Sequence, residues 1–186
     1  MKKLMMIFCA MVIGLTTMQA QKYFTKAGKI TFHSDAPMEK IEANNNSATS
    51  VIDAESGRME FAVLIKAFQF EKALMQEHFN ENYMESSKFP KATFKGQITN
   101  LEAVDFSKDG TYEANIKGDM IIHGVTQSVE TKGQFVIAGG QISGNSTFRI
   151  LVADYGIEIP AVVKDNIAKE VEIKVACDYQ ELKSKS

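Results

Sequence analysis

The side chains that could carry chemistry are three histidines, scattered serines and one cysteine outside the amino-terminal apolar segment. His33, His78 and His123 do not fall at metal-ligand spacing, and the chain contains neither an H-E-x-x-H nor a C-x-x-C pattern. The serines lack the G-x-S-x-G context of a nucleophile elbow. Cys177 falls on an inward strand position, which favours a buried thiol. The sequence therefore predicts no catalytic residue, no metal and no cofactor.

One stretch still concentrates polar residues: GDMIIHGVTQSV, residues 118–129. It could be a piece of an active site or the tip of a hairpin. We favour the hairpin, with His123 as the last residue of a strand and Gly124 in a turn conformation that larger residues disfavour. Alternation points His123 away from the inward face, and we expect its imidazole to bond to the turn backbone.

Period-2 alternation dominates the rest of the chain, as in antiparallel strands with one buried face. Strand patterns occur around residues 30–32, 59–65, 94–98, 112–122, 125–137, 141–152 and 171–179. Turn signals separate them at 44–46, 56–57, 108–110, 123–124 and 139–140. About eight to ten short-turned strands predict an all-β fold, either a closed up-and-down antiparallel barrel or a sandwich.

Residues 71–88 break this alternation. Leu74, Met75 and Phe79 recur at helical spacing, and Glu71 suits the start of a helix. Asn80 and Asn82 are expected to end it. We predict one short helix on a long connection that lies across a barrel mouth, after which the Phe89–Pro90 pair (89–90) returns the chain to a strand.

The predicted inward face mixes large apolar residues with small ones, such as Gly96, Ala114, Gly133 and Ser146. Two interpretations follow: a hollow barrel with a dry, elongated cavity, or a filled barrel whose glycines mark bends. If the barrel is hollow, the predicted ligand-binding residues are Ile30, Phe32, Phe61, Val63, Ile65, Leu74, Met75, Phe79, Phe94, Ile98, Ile116, Gly118, Met120, Val129, Phe135, Phe148, Ile150, Ile173 and Val175.

The amino terminus has the layout of a cleaved secretory signal peptide: Lys2 and Lys3, an apolar run, then a small residue at Ala20. We expect cleavage before Gln21, a periplasmic protein and a single domain over residues 21–186. Cys9 leaves a lipid-anchored alternative open, but it lies within the apolar run rather than after it. The remaining chain has too short an apolar stretch for a transmembrane segment.

Charge argues against nucleic acid as a partner. Removing the two signal lysines from the 21 basic residues leaves 19 against 23 acidic ones. The net charge near −4, with only two arginines, gives no electrostatic basis for binding phosphates.

The hairpin stretch closely resembles the signature of the YceI-like family, whose usual form reads G-D-L-T-I-H-G-V-T-K-P-V. Three further stretches are similar to the family in matching order: ESSKFPKATFKGQI (85–98), FRILVADYGIEIP (148–160) and VKDNIAKEVEIKVAC (163–177). The resemblance covers most of residues 28–180. It departs at Gln127–Ser128 (127–128), where Lys-Pro is common, and over residues 34–50.

This resemblance implies a lipocalin-like antiparallel β-barrel of about eight strands that holds a long isoprenoid, a quinone-like molecule or a fatty chain for transport or storage. It implies no catalytic apparatus, and it allows a homodimer for which the sequence shows no interface. Two alternatives stay open: an enzyme acting on a lipid inside the barrel, and a filled-barrel periplasmic interaction module.

Overall fold

The computed structural model describes residues 21–183, so the predicted signal peptide lies outside the described residues. The described chain is built from nine antiparallel strands and one short α-helix. The elements are β1 Lys22–Asp35, β2 Lys40–Asp53, β3 Arg58–Leu64, β4 Gln69–Phe70, α1 Ala73–His78, β5 Lys91–Ile98, β6 Gly110–Ile122, β7 Val125–Ala138, β8 Gln141–Leu151 and β9 Glu170–Glu181. The predicted all-β class is confirmed.

Eight of these strands close a barrel. They follow one another as β1-β9-β8-β7-β6-β5-β3-β2, and β1 also pairs with β2, which joins the two ends of the sheet. The two-residue β4 lies outside this ring and pairs with the first part of β2. The closed ring confirms the barrel prediction and excludes the sandwich.

Two tight hairpins place β6, β7 and β8. His123–Gly124 (123–124) and Gly139–Gly140 (139–140) are the two-residue loops, and all four residues have positive φ. Such loops match the right-handed twist of paired strands, which is why they are favoured in hairpins. His123 is therefore the first loop residue, with φ +51°, and not the last strand residue as predicted; β6 ends at Ile122.

The turn predicted at residues 44–46 is wrong, because β2 runs through them. The β1–β2 pairing shifts register around Gly28, opposite this stretch. Asn45 is completely buried; its Nδ2 donates to the Leu64 carbonyl at 2.8 Å and its Oδ1 accepts from the Ser47 amide at 2.9 Å. The Asn45 side chain thus supplies hydrogen bonds to backbone groups beside the irregular part of β2. The turn between β1 and β2 lies at residues 36–39.

The helix falls where it was predicted, but it does not stop at Asn80 or Asn82. A π-helix, Phe79–Tyr83, continues α1 directly. Asn80 stays within the helical segment because its Nδ2 donates to the Gln76 carbonyl at 2.8 Å. No helix among residues 21–183 is long and apolar enough to cross a membrane.

The barrel has a closed end and a mouth. At the closed end, the connection between β5 and β6 folds across the opening and buries Val104 and Phe106. The Phe106 ring lies 5.3 Å from that of Phe135 and 6.0 Å from that of Tyr23, measured between centroids. At the mouth lie the turn at 36–39, the helical segment 73–83 and the long connection 152–169.

Candidate ligand-binding cavity

A cavity of about 460 Å³ occupies the barrel between its plugged end and its mouth. This volume is within the range of small-molecule binding pockets. Every strand of the closed ring contributes side chains to the wall, because alternate residues of each strand point inward. The barrel is therefore hollow in its mouth-proximal half and filled in its closed half.

Sixteen of the nineteen sequence-predicted ligand-binding residues line this cavity. They are Ile30, Phe32, Phe61, Val63, Ile65, Met75, Phe79, Phe94, Ile116, Met120, Val129, Phe135, Phe148, Ile150, Ile173 and Val175. Their contact with a ligand stays a prediction. The structure places Leu74, Ile98 and Gly118 outside the lining.

Gly118 does not enlarge the cavity. It lies opposite Gly96 across the β5–β6 pair, and a Cβ on Gly118 would come within 2.4 Å of the Gly96 Cα and 2.8 Å of the Phe94 ring. The phenylalanine ring covers both glycines. A substitution at Gly118 would therefore push β5 and β6 apart instead of filling the cavity. Glycine is required here for the close approach of two backbones.

The other two exceptions have simple causes. Ile98 is 3% exposed but belongs to the core that fills the closed end, below the cavity floor. Leu74 lies on the outer side of α1 and is 61% exposed. The helix therefore turns Met75 toward the cavity and leaves Leu74 in solvent.

Sequence reasoning missed most of the mouth. Phe68 and Phe70 line the cavity from the segment around β4, and their alternation in AFQF is the signal that could have found them. The connection after β8 adds five apolar side chains: Val152, Ile157, Ile159, Val163 and Ile167. Val152 continues the alternation of β8 and Ile157 alternates with Ile159, whereas the irregular backbone around Val163 and Ile167 gives no fixed period.

An aromatic cluster covers one side of the mouth, with Phe79 of the π-helix at its centre. The Phe79 ring centroid lies 4.9 Å from that of Phe70, 5.6 Å from that of Phe68 and 5.9 Å from that of Phe32. The Phe32 pair is stacked, the Phe68 pair is edge-on and the Phe70 pair is tilted, and aromatic pairs at these distances stabilise each other beyond simple burial. The cluster holds the helical segment over the barrel.

Three hydroxyl groups of the wall have hydrogen-bond partners within the protein. Ser146 donates to the Lys132 carbonyl at 2.6 Å, and Thr131 lies 3.4 Å from the Ser146 hydroxyl. At the floor, the Tyr179 hydroxyl is 3.0 Å from that of Ser50, which is 2% exposed. Because these groups already have partners, the deep cavity presents an essentially apolar surface.

The floor also contains Cys177, which contacts Tyr179. Burial raises the pKa of the Cys177 thiol to about 11, and burial likewise raises the pKa of the Tyr179 phenol. Both groups are therefore neutral at ordinary pH, and the thiol lacks the thiolate form that reacts. The predicted burial of Cys177 is confirmed at 4% exposure.

The charged groups of the lining lie at the mouth. Glu39 lines the rim and accepts from Lys72 Nζ at 2.9 Å. This hydrogen bond raises the pKa of the Lys72 ammonium. His78 also reaches the lining and is exposed. A ligand with a polar end would therefore place that end here rather than at the floor.

His123 does not line the cavity but joins two segments near the mouth. We call His123 and its contacts with Glu85, Phe89 and Tyr155 the clasp. Its Nε2 lies 2.9 Å from a carboxylate oxygen of Glu85, and its Nδ1 lies 3.3 Å from the Tyr155 carbonyl. Phe89 packs edge-on against the ring, with centroids 4.6 Å apart. The imidazole therefore bonds to two other segments, and the predicted bond to its own turn is wrong.

Both residues whose side chains meet in the clasp have unusual backbones. Glu85 and His123 are the non-glycine residues of positive φ in the described chain, at +41° and +51°. Neither conformation is favoured for such side chains, and each costs free energy that surrounding contacts must offset. Gly124 completes the site, because a Cβ there would meet the Phe89 ring at 2.5 Å.

No group of three or more histidine, cysteine, aspartate or glutamate side chains within residues 21–183 is arranged to hold a metal ion. The cavity, its rim and the clasp are therefore the features that a function must explain.

The YceI-like domain family matches residues 15–179 of the chain. The chain belongs to the YceI-like family. Relatives in sequence include a UPF0312 protein of Vibrio cholerae serotype O1, 33% identical over 84 residues. That stretch is 42% of this chain and 41% of the relative, so the chain spans about two fifths of the curated relatives it matches.

Solved structures share the fold at low identity. A polyisoprenoid binding domain from Saccharophagus degradans, implicated in plant cell wall breakdown, is 13% identical with a TM-score of 0.75, covering 88% of this chain and 99% of that one. Burkholderia cenocepacia BcnA is 16% identical with a TM-score of 0.66, covering 82% and 96%. These likenesses confirm the YceI-like, lipocalin-like barrel.

Proposed function

We propose that the protein binds a long-chain apolar molecule, of the isoprenoid, quinone-like or fatty class, inside the barrel. The observation that carries this proposal is the cavity of about 460 Å³ whose deep wall is apolar and whose Tyr179 and Ser146 hydroxyls already have protein partners. Such a wall binds hydrocarbon by removing its surface from water, at roughly 25 cal/mol per Å² before ordering costs.

The shape of the site favours a chain over a compact molecule. The cavity runs from the floor at Tyr179 to a rim at Glu39, and charged groups of the lining lie only at that rim. A chain with one polar end would bury its hydrocarbon and leave the polar end at the mouth. The name of the Saccharophagus degradans domain, a polyisoprenoid binding domain, supports the isoprenoid class.

Transport or storage, rather than catalysis, is the use that we propose for this binding. Catalysis on a lipid would require titratable groups converging within the cavity. Among the described residues, Tyr179 at the floor is bonded to Ser50, and Glu39 at the rim is bonded to Lys72. Export to the periplasm by residues 1–20 belongs to the same proposal, as does a homodimer.

A pair of variants on one strand tests the binding site. Val129 points into the cavity, whereas its neighbour Ser128 is exposed on the outer face of β7. We expect Val129→Trp to fill the cavity and abolish uptake of octaprenol supplied from cyclodextrin. Ser128→Trp adds the same ring outside and should bind like the natural protein. Circular dichroism of both variants establishes that the barrel is folded.

Equal uptake by a folded Val129→Trp variant would contradict binding in this cavity. Uptake by neither the natural protein nor Ser128→Trp, with a range of isoprenoid and fatty chains, would contradict the proposed function itself.

A further inference from the structure

The exposed apolar side chains gather at one end of the barrel. Six of the eight large apolar residues that are most exposed in the described chain lie at or near the mouth, and two lie toward the closed end. The mouth group is Met38, Leu64, Leu74, Ile121, Leu151 and Val162; the other two are Val51 and Leu182. Clustering of this kind marks interaction sites, whereas single exposed residues do not.

The three most exposed of these residues frame the cavity entrance. Met38 is 73% exposed, Leu74 61% and Val162 89%, and they lie on three different connections. Each directly precedes a residue that lines the cavity, namely Glu39, Met75 and Val163. The same three segments thus line the cavity inside and present an apolar side chain to solvent outside. We call Met38, Leu74 and Val162 the apolar rim.

Direct contacts hold the three segments together. The Met38 amide donates to the Asp165 carbonyl at 2.9 Å, which joins the turn at 36–39 to the connection carrying Val162. Lys72 Nζ lies 2.9 Å from Glu39, which joins the same turn to the start of the helical segment. The rim is therefore one assembled surface around the entrance and not three independent loop tips.

We propose that the apolar rim docks on the surface of a lipid bilayer and sets the cavity mouth against it. The inference rests on the proposed function, because a long apolar ligand would otherwise have to cross water between membrane and cavity. Side chains of this kind insert at the boundary between headgroups and acyl chains, where apolar burial supplies the affinity.

The charges of the rim segments select the kind of bilayer. Residues 36–39, 71–83 and 152–169 together carry seven acidic residues against three lysines. A basic surface, which would recognise anionic lipids electrostatically, is therefore not what surrounds the mouth. Docking rests on apolar insertion into a surface without net charge, and it should depend little on salt.

Flotation with phosphatidylcholine vesicles tests the proposal on the mature chain. We expect the natural protein to float with the vesicles to a similar extent at low and high salt. Met38→Ser/Leu74→Ser/Val162→Ser should lower the partition coefficient at least ~10-fold, since it removes the apolar area that inserts. The matched control, Val51→Ser/Leu182→Ser, removes exposed apolar side chains far from the mouth and should float like the natural protein.

Uptake of octaprenol from cyclodextrin, measured without vesicles, separates this inference from the proposed function. The triple variant should keep full uptake, because its three side chains lie outside the cavity. Flotation of the triple variant equal to that of the natural protein would overturn the docking proposal, as would no flotation of the natural protein at all. Salt-sensitive flotation only with phosphatidylglycerol vesicles would also overturn it. Failure of octaprenol uptake by the natural protein would count against the proposed function instead.

Discussion

The two ends of the barrel are built on opposite plans. At the closed end, the connection between β5 and β6 folds inward, and side chains such as Phe106, Phe135 and Ile142 fill the space to below 10% exposure. At the mouth, three connections cover the opening with half-buried side chains such as Phe79 and leave Met38, Leu74 and Val162 in solvent. One closed sheet thus has a tightly packed end and an accessible entrance.

The comparison shows how one strand pattern can serve two purposes. The alternation of β6 through β9 is continuous, yet its inward residues contact a core at one end and a cavity at the other. The connections at each end decide whether the inward residues meet a filled core or an open cavity. Stability should therefore depend mostly on the closed end, while ligand entry should depend on the mouth, where segments are held by a few specific contacts.

The largest expected effect on stability comes from truncating Phe106, which fills the closed end of the barrel. Phe106→Ala should lower the free energy of unfolding by about 3–5 kcal/mol, because it empties a well-packed site. The matched mouth variant, Phe79→Ala, should cost about 1–2 kcal/mol, since this side chain is only half-buried. Urea denaturation measures both, and an equal cost at the two positions would contradict the comparison.

The next effect is a dependence of the free energy of unfolding on pH, caused by the buried Cys177 near the closed end. Burial raises the pKa of Cys177 from 9.0 to about 11, so the folded state holds the proton more tightly than the unfolded state. The resulting stability is fully present below pH 9 and is lost as pH rises through about 11. We expect a loss of roughly 3 kcal/mol across this window.

Cys177→Ala supplies the control for that pH dependence. The variant should lose the part of the fall in stability that begins near pH 9, keeping the parts contributed above pH 10 by the raised pKa values of Tyr179, Tyr155, Tyr83 and Tyr23, which have the same sign. Chemical denaturation at a series of pH values measures it. An unchanged pH profile in the variant would show that the thiol is not buried as described.

A smaller effect is expected from opening the clasp at the mouth. His123→Asn keeps a residue that tolerates positive φ but removes the bonds to Glu85 and the Tyr155 carbonyl. We expect a loss of about 1–2 kcal/mol, seen as a lower Tm. In a double-mutant cycle with Glu85→Gln, the two changes should be less than additive. Full additivity would argue against the clasp.

The smallest effect concerns neighbouring residues on α1. Leu74→Ser should change stability by less than about 0.5 kcal/mol and leave octaprenol affinity unchanged, because the side chain is exposed. Met75→Ser should weaken octaprenol binding, because Met75 lines the cavity. Titration of each variant with octaprenol supplied from cyclodextrin compares the two affinities. Equal affinities would contradict the orientation of this helix.

The sequence was informative wherever backbone geometry is regular. Period-2 alternation located seven of the eight barrel strands, all except β2, and most of the wall, including Phe61, Met120 and Phe148, because a strand turns every second residue to the same side. Turn chemistry located the loops at Gly57 and at 139–140, where positive φ is needed. The resemblance to the YceI-like family supplied the choice between barrel and sandwich.

Alternation could not predict contacts made across the chain. Alternation predicts that Gly118 faces the cavity, whereas the Phe94 ring from the neighbouring strand covers it. The asparagines at residues 44–46 predict a turn, because a buried asparagine within a strand gives the same signal as an asparagine in a turn. The mouth was mostly missed, since the connection 152–169 is irregular and its inward side chains follow no fixed period.

Native mass spectrometry of the protein, produced with its own amino-terminal segment, tests the central claim most directly. Solvent extraction should accompany it, to identify any released molecule. We expect a stoichiometric adduct that extracts as a long-chain apolar compound and that is absent from Val129→Trp but present in Ser128→Trp. A bare chain mass, with no uptake of added isoprenoid or fatty chains, would contradict a ligand-holding cavity.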